Sequence, residues 1–294
     1  MCDKKKIAVL IPCYNEALTI EKVIKDFQEI LPSANIYVFD NNSTDRTAAI
    51  AKSTKAEVIL SPRKGKGNVV QHMFRIINAD IYVLIDGDNT YPVSELPKML
   101  SHYKNNDLDI VVGMRLKNYR ENAFRLLHKF GNNLISNIIS FLFNTKIQDA
   151  LSGFRILSKH FVKNINLISQ NFEIETEMTI RSIYYGFKLD EFPITYNERP
   201  KGSVSKLNTF RDGLAIFRLI FILMKSYKPG LVYYALAYIT FSSGFIAGFY
   251  PIMDYYNDKY IYNVPLIIIA VLLEILSAVF CSVGIILTHR KTTS

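Results

Sequence analysis

Residues 81–88 read Ile81-Tyr82-Val83-Leu84-Ile85-Asp86-Gly87-Asp88, a short apolar run delivering two carboxylates one residue apart. No charge interrupts the run, as in strands buried on both faces of a parallel sheet. The same grammar repeats on the N-terminal side. Ile7–Ile11 is a strand ending at Pro12, and Asn15–Leu31 carries Leu18, Val23, Phe27 and Leu31 at helical spacing. Ile36–Phe39 is a second strand, ending in Asp40-Asn41-Asn42-Ser43, and Thr44–Ser53 a helix that Ser43 or Thr44 can cap. Val58–Leu60 is a third strand and Val69–Ile77 another helix, which makes Ile81–Ile85 the fourth strand. Alternating strands and helices predict an α/β domain with a mostly parallel sheet. Ligands of such sheets sit beyond the carboxyl ends of the strands, where every polar cluster just named falls.

Charge divides the chain. Of 294 residues, 35 are Lys or Arg and 26 Asp or Glu, giving +9. From Gly230 to Thr288 the only base is Lys259 and the only acids are Asp254, Asp258 and Glu274. A basic body therefore precedes an almost uncharged tail. Such a body favours anionic partners: phosphates, nucleic acid or an anionic membrane face. Half the residues are hydrophobic, which excludes disorder. Cys2, Cys13 and Cys281 lie far apart, without metal-ligand spacing or a disulfide framework, and nothing at the N-terminus reads as cleavable.

The tail predicts two membrane spans, 230–253 and 264–287, since about 20 apolar residues cross a bilayer. Lys225 and Lys228 precede them and His289, Arg290 and Lys291 follow, so the positive-inside rule puts the body and both termini in the cytoplasm of a multi-pass cell-membrane protein. Glu274 inside the second span points to helix pairing, and hence to a homo-oligomer, or to a wet crevice, and equally to a neutral carboxyl or one lying nearer the surface. Ahead of the spans, Phe210, Leu214, Phe217, Phe221 and Met224 alternate with Arg211, Arg218 and Lys225, as in a helix lying at a lipid surface. The expected organisation is a catalytic domain over 1–206, an amphipathic helix over 207–229, the hairpin over 230–288 and a tail over 289–294.

The chemistry starts at Asp86 and Asp88. Two carboxylates on a turn leaving a strand can share a hard cation, Mg²⁺ or Mn²⁺, whose shell is completed by water and phosphates. Lys64-Gly65-Lys66-Gly67-Asn68 is neither a P-loop nor a dinucleotide fingerprint, so kinase, ATPase and NAD-enzyme readings lose their support. Arg115, Lys117, Arg120, Arg125 and Lys129 face Glu121 alone and form a basic cluster.

Eight motifs then occur in a fixed order: Pro12–Glu16, Asp40–Ser43, Asp86-Gly87-Asp88, Gly113-Met114-Arg115, Ser152–Arg155, Glu177-Met178, Glu191–Ile194 and Arg199–Lys206. In this order they resemble glycosyltransferase family 2, in its polyprenyl-phosphate branch of dolichyl-phosphate-mannose synthases and undecaprenyl-phosphate glycosyltransferases. The resemblance covers residues 7 to about 228. It implies a GT-A fold and inverting transfer of a sugar from a nucleotide diphosphate sugar to a polyprenyl phosphate, with no nucleic-acid partner. Carried over, Pro12, Tyr14, Glu16, Phe39, Asp40 and Asn41 hold the nucleotide, and Asp86, Gly87 and Asp88 hold metal and diphosphate. Asp88, Arg115, Arg199 and Lys206 form the catalytic set, and Arg125 and Arg155 take the lipid phosphate. The sequence departs from the family pattern at Asn41 and Thr90, and by one extra residue between Arg199 and Lys206.

A lipid monophosphate, with a second pKa of about 6, needs no catalytic base near neutrality. The alternative acceptor, a hydroxyl of a saccharide or lipid-linked sugar, does need one, and Asp149 is the residue available for it. A processive polysaccharide synthase is disfavoured, because its family's Gln-x-x-Arg-Trp motif requires a Trp and this chain has none. A non-catalytic nucleotide-sugar sensor is disfavoured by the intact acidic pair.

Overall fold

The computed structural model describes residues 5–115, 123–200, 202, 203, 206 and 209–292, with side chains from 123–130, 209–210 and 290–292 left aside. The body opens with β1 (Ile7–Cys13), α1 (Ile20–Ile30), β2 (Asn35–Asp40), α2 (Thr47–Lys52), β3 (Glu57–Leu60), α3 (Lys66–Ile76) and β4 (Ile81–Leu84). It continues through α4 (Leu96–Asn105), β5 (Ile110–Arg115), α5 (Ala123–Phe143), β6 (Arg155–Ser158), α6 (Lys159–Asn164), α7 (Ile174–Tyr184) and β7 (Leu189–Ile194). Helices α8 (Thr209–Tyr227), α9 (Pro229–Asp258) and α10 (Val264–Thr292) follow.

Seven strands form one sheet in the order β3-β2-β1-β4-β6-β5-β7. The first four run parallel, as does β7 beside β5, whereas β6 is antiparallel to both β4 and β5. Alternation along β1 explains its uninterrupted apolar sequence. Val9 and Ile11 pack with Ile24 and Phe27 of α1 and Met99 of α4. Ala8 and Leu10 pack on the opposite face with Val70 and Met73 of α3 and Met178 of α7. Both faces are covered, so neither can be polar. Each such side chain contributes about 1.5–3 kcal/mol by leaving water. Pro193 is tolerated in β7 because that strand is an edge of the sheet, where a missing N–H breaks no ladder.

Helix α2 starts at Thr47, three residues later than expected, and neither Ser43 nor Thr44 caps it. Ser43 instead accepts from the Asn15 N–H (3.0 Å), and Asp45 accepts from the Thr47 N–H (2.9 Å). The amphipathic segment is helical as α8. Leu214, Phe217 and Phe221 are exposed, while a second apolar line, Ile216, Leu219, Ile220, Leu223 and Tyr227, is buried. Contacts group the chain into Met1–Leu219 and Ile220–Ser294.

In the second unit, α9 and α10 are long and apolar enough to cross a membrane, and few of their residues are buried. They are not core helices. Their seam is built from small residues every seven positions: Gly230, Ala237, Gly244 and, closing the series, Pro251 on α9; Ala270, Ser277 and Gly284 on α10. Small side chains let helix backbones approach closely, and the Ser277 hydroxyl donates to the Ala237 carbonyl (2.9 Å). Glu274 lies on this seam: a Cβ on Gly244 would stand 2.8 Å from its Oε1. The stretch left between the expected spans, 254–263, is largely helical at its start, since α9 continues to Asp258 and ends at Lys259 in the left-handed region (φ 53°).

Candidate active site

Beyond the carboxyl ends of β1, β2, β4, β5 and β7 lies a cavity of about 610 Å³. Pro12 reaches it from the end of β1, Tyr14 and Glu16 from the β1–α1 connection, Asn41 from the end of β2, and Asp86, Gly87 and Asp88 from the end of β4. Arg115 comes from β5, and Arg199 and Lys206 from the segment after β7. The sequence-predicted nucleotide and catalytic residues therefore line one hollow, Phe39 and Asp40 excepted. Phe39 is fully buried, its ring edge-on to His72. Asp40 is buried beside the rim, with Oδ2 accepting from the Ser43 N–H and Oδ1 without a partner.

Tight backbone approaches shape the acidic turn. A Cβ on Gly87 would stand 2.8 Å from Cys13 Sγ, and one on Gly153 would stand 2.5 Å from Asp86 Oδ2. Gly153 thus forms a cradle for the Asp86 carboxylate. Thr19 donates its hydroxyl to the Gly87 carbonyl (2.6 Å), tying the acidic turn to the β1–α1 connection. Thr90 donates both its N–H (3.1 Å) and its hydroxyl (2.6 Å) to Asp88 Oδ1, so this departure from the family pattern orients the carboxylate.

Every acid of the cluster is met by a base. Arg199 pairs with Asp88 Oδ2. Lys206 donates to Glu16 Oε1 (2.8 Å) and the Asn15 carbonyl (2.9 Å), despite the extra residue before it. Burial pushes the Glu16 carboxyl above its ordinary value, and Lys206 opposes that rise. Arg115 donates through Nε and Nη2 to the two oxygens of Asp149, both at 2.7 Å, and its guanidinium lies 5.5 Å from the Tyr196 ring centroid. Burial penalises the Arg115 charge, but Asp149 outweighs it and the guanidinium is held firmly protonated. Two hard carboxylates facing the cavity, each neutralised by a basic side chain, fit a divalent cation completed by water and phosphate. Among the described residues no third His, Cys, Asp or Glu joins them as a ligand cluster.

Two residues outside the predicted set, Lys66 and Glu175, stand at the centre. Lys66 Nζ is 2.5 Å from Asp86 Oδ1 and 2.5 Å from Glu175 Oε1. Burial opposes its charge, yet the two carboxylates prevail and raise its pKa. The glycines around Lys66 allow this. Gly65 has φ +111°, and a Cβ on it would lie 2.3 Å from the Gln170 carbonyl oxygen; a Cβ on Gly67 would lie 2.2 Å from that of Ser169. The Gly-Lys-Gly triplet is thus a close-approach device. The failed P-loop match hides a signal that is present: two glycines flanking a lysine at a helix start.

Two expectations need correction or lie elsewhere. Arg155 is fully buried below the cavity, where Nε donates to the Ser152 carbonyl (2.9 Å) and Nη2 to that of Ala150 (3.1 Å). A guanidinium placed there supports the 150–152 turn and is not presented to an incoming lipid phosphate. The side chain of Arg125, and Lys117 and Arg120 with it, lie outside the described residues. Asn41 is committed to the neighbouring loop, donating to the Ser61 and Arg63 carbonyls (3.0 and 2.8 Å) and accepting from the Gly65 N–H (2.9 Å).

The fold is shared with glucosyl-3-phosphoglycerate synthase from Mycobacterium tuberculosis, solved with Mn²⁺, uridine diphosphate and glucosyl-3-phosphoglycerate (TM-score 0.60, 19% identity, 76% of this chain and 80% of that one). The architecture is GT-A. Residues 8–165 match the model of glycosyl transferase family 2. Protein RfbJ of Shigella flexneri is 54% identical over 123 residues, 42% of this chain and 95% of that protein. The dolichyl-phosphate hexose transferase of Haloferax volcanii is 31% identical over 214 residues, 73% of this chain and 92% of that protein. This chain belongs to glycosyl transferase family 2 and is a glycosyltransferase.

Proposed function

We propose that the enzyme transfers a sugar, with inversion and with the help of a divalent metal, from a nucleotide diphosphate sugar to a polyprenyl phosphate at the cytoplasmic membrane face. The observation that carries the choice of acceptor is the state of Asp149. A hydroxyl acceptor must lose its proton to a base within hydrogen-bond reach. Asp149, the residue best kept for that task, is buried and held at both oxygens by Arg115, with the Arg115 N–H adding a third donor (3.1 Å). Both oxygens of that carboxylate are already engaged by the Arg115 guanidinium, so neither stands open to an incoming hydroxyl. A phosphate monoester arrives already ionised and asks for cations instead.

In this reading Pro12, Tyr14 and Asn41 receive the nucleoside, and Asp86 and Asp88 hold Mg²⁺ or Mn²⁺. When bound, the metal neutralises charge that develops on the diphosphate leaving group. Arg199, Lys206 and Lys66 exchange their carboxylate partners for phosphate oxygens and stabilise the same charge, most strongly in the transition state. Arg115, braced by Asp149 and Tyr196, meets the acceptor side. The phosphate oxygen attacks the anomeric carbon opposite the departing diphosphate, which inverts that centre. Support also comes from the hairpin, whose length suits a lipid-borne substrate, from the name of the Haloferax relative, and from the Mn²⁺ and uridine diphosphate of the Mycobacterium neighbour.

The test is to incubate purified enzyme with a panel of nucleotide sugars and either undecaprenyl or dolichyl phosphate, or hydroxyl acceptors, and to weigh the products. A glycosyl phospholipid is expected. Transfer to hydroxyls alone would overturn the reading.

A further inference from the structure

Lys66 occupies a carboxylate, Asp86, that a metal ion would also need. If Asp86 and Asp88 hold a divalent cation, as proposed above and as the following rests on, the ammonium now 2.5 Å from Asp86 Oδ1 opposes its binding, since two cations at one carboxylate repel each other. Where the ammonium goes is decided by Glu175. This carboxylate is buried, stands in the first turn of α7, and has Lys66 as its sole ion-pair partner among the described residues. The lysine backbone cannot retreat, because the flanking glycines are pressed on Ser169 and Gln170. The Asn68 N–H donates to the Gln170 carbonyl (3.1 Å), and Gln71 Nε2 to that of Ser169 (2.7 Å). The Phe172 ring closes another side, 5.9 Å from Nζ.

We infer that Glu175 is a positioning residue that draws Lys66 off Asp86, so that metal can enter and the ammonium stays in the cavity beside the diphosphate. Without Glu175, Lys66 has one carboxylate left and becomes a stronger competitor for the metal. With it, the lysine has somewhere to wait. Nothing in this requires Glu175 to touch substrate or to carry a proton.

The effect is readable without turnover. Mn²⁺ binding to the full-length protein in detergent, followed by the electron paramagnetic resonance signal of free Mn²⁺, is compared for wild type, Glu175→Gln, Lys66→Met and the double variant. Thermal melting confirms that each is folded. Glu175→Gln should weaken Mn²⁺ binding about tenfold, the scale of one close charge contact. Lys66→Met should strengthen it, and the double variant should bind like Lys66→Met. A direct ligand or a purely structural role for Glu175 would leave the double variant as weak as Glu175→Gln, and either that result or an unchanged Glu175→Gln affinity overturns the inference. Asp88→Asn separates the underlying reading: if it binds Mn²⁺ as well as wild type, the metal assignment itself fails. If Asp88→Asn loses binding while Glu175→Gln matches wild type, only the role of Glu175 falls.

Discussion

Helix α7 carries two buried glutamates two residues apart, and their surroundings differ in kind. Glu177, fully buried, accepts from the Ile168 N–H (3.0 Å) and the Ser169 N–H (2.7 Å) and pairs with Arg181 Nε at 2.6 Å. Its partners are fixed backbone and a neighbour on the same helix. Glu175 has one ammonium, shared with Asp86, and burial pushes its carboxyl above the ordinary value, with Lys66 pulling the other way. A saturated charge holds structure, whereas an undersupplied one is ready for exchange. The two are nonetheless connected. Glu177 fixes the 168–169 backbone, that backbone receives Gly65 and Gly67, and they present Lys66 to Glu175. The packing wall builds the pocket wall.

The comparison can be broken at several points, and the largest effect belongs to the pocket side. Asp88→Asn should reduce transfer by about a thousandfold or more with the melting temperature nearly unchanged, and EDTA should do the same reversibly. Full activity in EDTA would remove the metal from the site. On the packing side, Glu177→Gln should cost about 3 kcal/mol of stability, since it removes a buried charge from the Ile168 and Ser169 N–H groups and from Arg181 Nε. Denaturant melts would measure the loss, and the folded remainder should keep a near wild-type KM. Gly67→Ala tests the link between the walls. Its methyl would meet backbone, so about 1–3 kcal/mol should be lost, and donor KM should rise as Lys66 is displaced.

The smallest effect is expected far from both walls, at Asp109. Burial works against its charge, but hydrogen bonds from Ser158, His160 and the Lys188 N–H prevail and hold the carboxyl below the ordinary range. A depressed folded-state value means stability that is present above the unfolded carboxyl pKa and lost as pH falls through the folded one. Asp109→Asn should therefore cost under about 1 kcal/mol at pH 7 and nothing at pH 2, in paired urea melts.

Much of this molecule is legible without its structure. Strands β1, β2 and β4 declare themselves by uninterrupted apolar runs, because covering both faces leaves no room for alternation. The hairpin is legible for a related reason, a lack of charge too long for a core helix. What escapes is everything set by contacts between distant segments. The reversal of β6 lies in the pairing of Leu84 with Arg155, which no local pattern encodes. Arg155 looks like an anion ligand because a sequence reports charge and not depth. Lys66 is easily passed over because its glycines fail a phosphate-loop pattern, although their true purpose is to fit beneath the Ser169 and Gln170 carbonyls. Glu175 carries no signal, since one acid in the first turn of a helix is ordinary.

The cavity lining has a consequence for how the donor arrives. Among the described residues, Glu16, Asp86, Asp88, Glu175 and Glu198 line it together with Lys64, Lys66, Arg115, Arg199 and Lys206, five of each sign. In a chain of +9, the described lining of this hollow is electrically balanced. A naked diphosphate would find no net pull there and would have to strip a carboxylate of its partner for each oxygen it seats. A diphosphate travelling with its own counter-ion can swap partners one for one, and electroneutrality favours that visitor.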